Sequence, residues 1–184
     1  MKALPCSLAV VALSGGLLAS CAPPPIVKVP VSTSNLSDKS PDGRLLAEVN
    51  AYRNSTGHQS LVRNATLDRM AREHSEFLRA NRGKFNVEGS NISHFGFEGR
   101  ALRARAQLSI SSLAENVASG KNASMPLVVK MWAASKGHDF NMRGDWTETG
   151  VGVAVDQDGT VFATQLFGSP HTSTVVMDDP FRQH

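Results

Sequence analysis

Cysteine is scarce in this 184-residue chain, and its two cysteines, Cys6 and Cys21, both lie close to the start. A fold held together by disulfides is therefore excluded for the rest of the chain. The chain has only one apolar run, which lies at the very start. A multi-pass membrane protein is therefore excluded. Aromatic residues make up 6%, charged residues 19% and hydrophobic residues 41% of the chain. This composition fits one globular domain and excludes a collagen, a coiled-coil rod and a fully disordered protein.

A strong excess of one charge is also missing, because 19 basic residues are set against 16 acidic ones, for a net charge of +3. The densest basic stretch contains Arg100, Arg103 and Arg105, with no aromatic residue between them. Nucleic-acid-binding proteins concentrate positive charge on one face, so we expect no nucleic-acid partner. We interpret the stretch as a solvated helix face, with an anion-binding patch as the alternative.

The first twenty residues have the pattern of an export signal. Lys2 supplies a positive start, and residues 8–19 are apolar but too few to span a bilayer. The sequence Leu-Ala-Ser-Cys at 18–21 resembles the lipobox of bacterial lipoproteins. This resemblance implies that residues 1–20 are removed and that Cys21 becomes an acylated N-terminus anchored in the membrane. Ala22, in place of Asp, would suit the outer membrane of a Gram-negative host. An ordinary signal peptide that happens to contain a cysteine is the alternative.

A proline- and serine-rich segment follows the cysteine and shows no helical or strand period. Such a chain prefers extended polyproline II, so residues 22–40 could reach about 59 Å from the bilayer. The predicted organisation is a lipoprotein signal at 1–20, an acylated cysteine and tether at 21–40, a globular domain at 41–168 and a tail at 169–184.

The globular part changes from helical to strand patterns along the chain. Helices are predicted from Pro41 to the turn at Gly57, from the cap Asn64 to the turn at Asn81, over 100–108, and from Ser124 to Gly137. Residues 84–97 are predicted to be a loop with one short strand at most, and 150–155 and 160–167 to form a hairpin. Gly150 and Gly152 indicate a close backbone approach within the sheet. Helices first and strands last predict an α+β fold with an antiparallel sheet.

Five separated segments, in order, resemble the CAP superfamily, also called SCP-like extracellular domains. They are NAYR at 50–53 with the residues up to His74, SHFG at 93–96, AENVASG at 114–120, WAASKGHDFNM at 132–142, and GVG at 150–152 with TQLFG at 164–168. The resemblance covers about residues 43–168. It implies a three-layer α–β–α sandwich around a central antiparallel sheet, in agreement with the periodicity.

The resemblance also implies a polar cleft with two histidines and usually two acidic residues. By motif position the histidines are His94 and His138, and the acid of the Glu-Asn pair is Glu115. The second acidic position, three residues after Trp132, holds Ser135 here, so the family pattern is incomplete. These residues imply that His94, His138 and Glu115 bind Zn²⁺ or another divalent metal weakly, with one position left for water. Protonation of either histidine would release the ion, so occupancy should fall below about pH 6.5.

Three functional hypotheses follow. The first is a non-catalytic binding module for a lipid, cell-wall or protein ligand of the cell envelope. The second is a metal-dependent hydrolase of peptide or cell-wall substrates, with Glu115 and His138 as its catalytic residues. The third is a structural envelope protein with a vestigial cleft. Ser135 and His138 form the only candidate pair of serine nucleophile and histidine base. His74 lies on an apolar helix stripe, so we expect it to be buried and hydrogen-bonded and not to be a metal ligand.

Overall fold

The computed structural model describes residues 38–83 and 94–170. The predicted signal, Cys21, nearly all of the tether, most of the predicted loop at 84–97, and residues 171–184 lie outside these ranges. The described elements, in chain order, are α1 Pro41–Ser55, β1 Val62–Arg63, α2 Ala65–Ala80, α3 Phe97–Leu108, β2 Ile110–Lys121, α4 Met125–Ala133, α5 Lys136–Arg143, β3 Glu148–Val155 and β4 Thr160–Pro170. Among the described helices, none combines the length and the apolar character that a bilayer crossing requires.

The strands form one mixed sheet in the order β1-β3-β4-β2. Strands β3 and β4 form the predicted hairpin, and β2 pairs antiparallel with β4 along its whole length. The two-residue strand β1 runs parallel to β3 and is absent from the sequence prediction. Helices α1, α4 and α5 pack on one face of the sheet, and α2 and α3 pack on the other. The predicted α+β fold with three layers is confirmed, and the sheet is antiparallel in three of its four strands.

Local side-chain chemistry starts the helices where the sequence predicts. The Ser40 hydroxyl accepts a hydrogen bond from the Gly43 amide, and the Asn64 side chain accepts from the amides of Thr66 and Leu67. Ser124 caps α4 in the same way, accepting from the Leu127 amide. These caps satisfy amides that have no partner within the helix, which fixes the first turn.

Three boundaries differ from the sequence prediction. Gly137 does not end a helix, because α4 ends at Ala133 and a separate helix, α5, contains Gly137. The folded part also begins earlier than residue 41, since Asp38 pairs with Arg63 at 2.6 Å. At the other end, β4 continues to Pro170, two residues beyond the predicted limit. In addition, β2, which carries the Glu-Asn pair, is a strand that the sequence does not predict.

Two glycines of β3 let helix α2 lie directly on the sheet. A Cβ atom at Gly150 would lie 2.1 Å from the backbone carbon of Leu67, and one at Gly152 would lie 2.2 Å from the Arg72 amide nitrogen. The predicted close backbone approach is present, but the backbone that comes close belongs to helix α2 and not to another strand of the sheet. This packing brings His74, further along α2, against the sheet, where it is buried.

Acidic side chains cover part of the outer edge of β3, where the short β1 ends. The Val151 amide donates to Asp68 Oδ1 and the Val153 amide donates to Asp42 Oδ1, each at 2.8 Å. Arg72 bonds to both Asp42 and the Val153 carbonyl oxygen. The unpaired amides of a strand edge tend to bind a further strand. Here the side-chain contacts satisfy those amides, so no further strand is needed. Both layers of helices thereby become attached to β3.

We predict that Gly152→Ala destabilises the domain by about 1–3 kcal/mol, because the added methyl group meets the backbone of α2 and forces the helix off the sheet. The matched control is Gly99→Ala in α3, where a Cβ meets nothing within 4 Å. Urea unfolding of both variants measures the difference. Equal stability of the two variants would contradict the close packing of α2 on β3.

Candidate functional site

The candidate site is built across β2, which lies at one edge of the sheet. Successive side chains of a strand point to opposite faces, so Glu115 and Asn116 reach different helical layers. Glu115 contacts Arg100 of α3, while the Asn116 amide donates to the His138 carbonyl oxygen of α5 at 3.0 Å. The two layers therefore meet at this point of the edge, and residues that are distant in sequence come together.

Glu115 and Arg100 form a buried, two-pronged ion pair. Arg100 Nε donates to Glu115 Oε2 at 2.7 Å, and Arg100 Nη2 donates to Oε1 at 2.8 Å. The exposed fraction of the side chain is 1% for Glu115 and 6% for Arg100. A carboxylate so deeply buried requires a partner, and the planar guanidinium matches its geometry. Both oxygens of Glu115 are engaged by this one group.

His94 is oriented by the same carboxylate. Its Nδ1 lies 2.9 Å from Glu115 Oε1. Burial acts to raise the pKa of Glu115, but the hydrogen bonds from His94 and Arg100 lower it by more, and the pKa lies below its usual value. Glu115 is therefore ionised and can only accept, so His94 Nδ1 must carry the proton it donates. In a neutral imidazole this leaves Nε2 with a free lone pair.

His138 approaches from the opposite layer. The rings of His94 and His138 have centroids 6.5 Å apart and planes inclined by 46°. Burial and the proximity of His94 both lower the pKa of His138, so its ring is neutral at neutral pH. Asn141, also in α5, donates to the Glu115 carbonyl oxygen at 3.2 Å and to Asn116 Oδ1 at 3.0 Å. These amide bonds hold the helix that carries His138 against the strand that carries Glu115.

His74 lies behind Glu115 on the α2 side. Its Nε2 is 4.0 Å from Glu115 Oε1, beyond hydrogen-bonding distance, and its side chain is 2% exposed. The ring stacks against Phe77, which in turn stacks on Phe95, with interplanar angles of 12° and 11°. A cavity of about 250 Å³ opens beside these rings and is bounded by Arg100. His74 is thus buried as predicted, and it adds an aromatic wall to the cluster.

Of the residues singled out in the sequence, the structure brings His94, Glu115 and His138 together. Ser135 precedes α5, and no hydrogen bond among the described residues joins it to His138. Sequence reasoning missed Arg100, because the interpretation as a solvated helix face is wrong for this residue, which is 5% exposed. The interpretation holds for Arg103, which is exposed and pairs with Glu73 at 3.0 Å. The one signal for Arg100 was its place shortly after the His94 motif.

The donor set fits a metal ion through its histidines and not through its carboxylate. Metal-binding histidines commonly donate their second ring N–H to a carboxylate, which is the arrangement of His94 with Glu115. The Glu115 oxygens are directed to Arg100 and His94, so neither is oriented toward a shared ion. Across the described ranges no group of three or more His, Cys, Asp or Glu side chains is arranged to hold a metal. The binding of a divalent metal by these residues stays a prediction.

The arrangement is an α–β–α sandwich with two histidines meeting across an edge strand, as expected for an SCP-like domain. The sequence model of the cysteine-rich secretory protein family, abbreviated CAP, matches residues 46–167. This match covers more than half of the chain, and the chain belongs to the CAP family.

Two solved bacterial structures are similar to the described fold. One is an outer surface protein from Borrelia burgdorferi, with a TM-score of 0.56 and 23% identity over 68% of this chain and 90% of that chain. The other is an extracellular protein containing an SCP domain from Bacillus anthracis, with a TM-score of 0.50 and 23% identity over 70% of this chain and 40% of that chain. At these identities the likeness shows the fold alone. No curated protein matches the sequence.

We predict that Glu115→Gln lowers the free energy of unfolding at neutral pH by about 3–5 kcal/mol, because Arg100 is left buried without its counter-charge. The pKa of Glu115 is lowered in the folded state, so its stabilising contribution is present above its unfolded pKa and is lost as the pH falls through the folded pKa. The variant should therefore lose less stability than the wild type between about pH 7 and pH 3.

Urea unfolding at several pH values measures this effect. Glu98→Gln, on the exposed side of α3, is the matched control and should behave as wild type. A Glu115→Gln variant with the full wild-type dependence on acid would contradict the assignment of this carboxylate as an ionised, buried partner of Arg100.

Proposed function

We propose that this protein is a lipid-anchored component of the bacterial envelope whose CAP domain binds a lipid, cell-wall or protein ligand without cleaving it. The cleft that carries this role contains His94 and His138, which can hold a divalent metal weakly. The observation that supports the proposal is the state of Glu115, whose two oxygens are engaged by Arg100 and His94. The carboxylate supports the cleft and leaves the two imidazoles available to a ligand.

A metal ion would be held by Nε2 of His94 and by the ring of His138, with the remaining positions filled by water or ligand. Two neutral nitrogen donors favour Zn²⁺ and similar ions over Mg²⁺ and Ca²⁺, which prefer oxygen. A bound ion would supply a positive charge that attracts an anionic group of a ligand. The charge of Glu115 is already balanced by Arg100, so it does not offset that attraction. Only two protein donors imply weak binding.

The observations favour binding over hydrolysis. A general base needs a proton affinity close to the working pH, whereas the pKa of Glu115 is lowered and its oxygens are occupied. Within the described part of the chain, Ser135 has no hydrogen bond to His138 that would activate its hydroxyl. The hydrolase hypothesis, with Glu115 and His138 as catalytic residues, therefore gains no support from the geometry.

The envelope location rests on the beginning of the chain and on the relatives. Leu-Ala-Ser-Cys at 18–21 supplies the cysteine for acylation, and the segment that follows is long enough to hold the domain away from the bilayer. A single acyl chain binds a membrane reversibly, and two or more make a stable anchor. The two similar structures are described as an outer surface protein and an extracellular protein, which is compatible with export of this chain.

If His94 and His138 hold a metal, we expect zinc to bind the purified domain. His94→Ala and His138→Ala should each weaken this binding at least about tenfold, because each variant removes one of the two donors. Isothermal titration calorimetry measures the affinity, and Mg²⁺ and Ca²⁺ should not compete. His58→Ala is the control, since His58 lies in the turn after α1 beside Thr56. Wild-type zinc binding by His94→Ala would remove the metal from the proposal. Peptide or peptidoglycan turnover that is lost in His138→Ala would favour the hydrolase instead.

If Cys21 carries the anchor, we expect Cys21→Ser to release the protein from the membrane fraction, because a serine hydroxyl cannot replace the thiol that forms the thioether bond to diacylglycerol. Metabolic labelling with a palmitate analogue, followed by membrane fractionation, measures the change. Cys6→Ser is the control, because Cys6 lies within the predicted signal and should leave labelling intact. Equal labelling of the Cys21→Ser protein and wild type would refute the lipid anchor and leave the domain's binding role open.

A further inference from the structure

Arg100 makes two kinds of contact near His94. It hydrogen-bonds to the main chain of Phe95, the next residue, and to the Glu115 carboxylate, which is itself hydrogen-bonded to the His94 ring. Its Nη1 donates to the Phe95 carbonyl oxygen at 2.9 Å, and its Nε and Nη2 donate to the two Glu115 oxygens. We propose that Arg100 is a positioning residue of the cleft, which fixes the orientation and the tautomer of His94 and so keeps Nε2 unprotonated in a ring whose centroid lies 6.5 Å from that of His138. The purpose of this positioning rests on the proposed function, because His94 is one of the two histidines assigned to bind the ligand or metal.

The geometry explains why one side chain can do this. A histidine ring is oriented when its main chain and one ring nitrogen are both held. Arg100 holds the main chain through Phe95, the next residue, and it holds the acceptor of Nδ1 through Glu115. The guanidinium is planar and rigid, so the two contacts are fixed relative to each other. Glu115 alone could rotate about its side-chain bonds, and the His94 ring would then lose its fixed acceptor.

The role goes beyond neutralising a buried charge. A lysine at position 100 could balance Glu115, but its ammonium is a single point and cannot match the carboxylate in a two-pronged fashion while reaching the Phe95 oxygen. Arg103, three residues further along α3, makes the contrast clear. It is exposed and pairs with Glu73, and in the described part of the chain no hydrogen bond joins it to Glu115. The same helix therefore carries one arginine that serves the site and one that serves the surface.

The first variant for the test is Arg100→Lys, which keeps the charge and should fold. The second is Arg100→Met combined with Glu115→Gln, which removes both buried charges in case the single loss unfolds the protein. Arg103→Met is the matched control. The domain is used without its signal and anchor, because the described part has its own core and 68% of the chain accounts for 90% of the solved Borrelia burgdorferi chain.

The first readout is the His94 tautomer in the metal-free domain, observed through long-range nitrogen–proton NMR correlations of the ring. Wild type and Arg103→Met should show a single tautomer with the proton on Nδ1. Both variants at position 100 should show a mixture of tautomers while circular dichroism remains that of a folded protein. The second readout is zinc affinity, which should fall about 10–100-fold in the variants, as is typical when the partner of a metal ligand is lost.

The two readouts separate the possible failures. A folded Arg100→Lys protein with the single wild-type tautomer and wild-type zinc affinity would overturn the proposal. Absence of zinc binding in the wild type would remove the metal from the proposed function, and the tautomer measurement would still decide the role of Arg100. A single tautomer retained in the double variant would likewise overturn it, because neither Arg100 nor an ionised Glu115 would then be needed.

Discussion

The buried carboxylate of Glu115 sets the arrangement of the candidate site. An ionised group with 1% of its side chain exposed is unfavourable unless it is paired and hydrogen-bonded, and Arg100 and His94 provide both. To meet this requirement, α3 and the turn that carries His94 must pack against β2. His74, from α2, closes the other side of the carboxylate. Three segments of one layer are thereby fixed relative to the edge strand by a single charge.

The second histidine depends on the opposite layer and on a different set of contacts. Asn116 and Asn141 bond β2 to α5, so His138 is held at the same edge from the other face. The separation of the two rings therefore reports on the docking of both layers. That docking depends in turn on small details of the sheet, above all the lack of a Cβ at Gly150 and Gly152, which lets α2 approach closely.

Much of the fold could be predicted from local rules. Ser40, Asn64 and Ser124 are capping residues whose chemistry acts within three residues, and each begins a helix where expected. The hairpin could be predicted because a turn between two apolar segments is also local. Strand β2 could not, since its mixture of small and polar residues has no clear alternation and its conformation is fixed by pairing with β4.

The site shows the same division between local and long-range information. Neither spacing nor periodicity joins His94, Glu115 and His138, and their proximity was available only through the resemblance to the CAP family. The surface interpretation of Arg100 was wrong because sequence alone does not show which member of a basic stretch has a buried acid opposite it. The sequence also could not predict that acidic side chains of α1 and α2 cover the edge of β3, because these contacts join residues more than eighty positions apart.

The most direct test of the supporting role of Glu115 is a crystal structure of the domain soaked in zinc, with an anomalous-scattering map at the zinc edge. We expect one peak between Nε2 of His94 and the ring of His138, with both oxygens of Glu115 still bonded to Arg100 and His94. A Glu115 carboxylate turned away from Arg100 and bound directly to the ion would contradict the supporting role assigned to it, as would two histidine rings on unconnected surfaces.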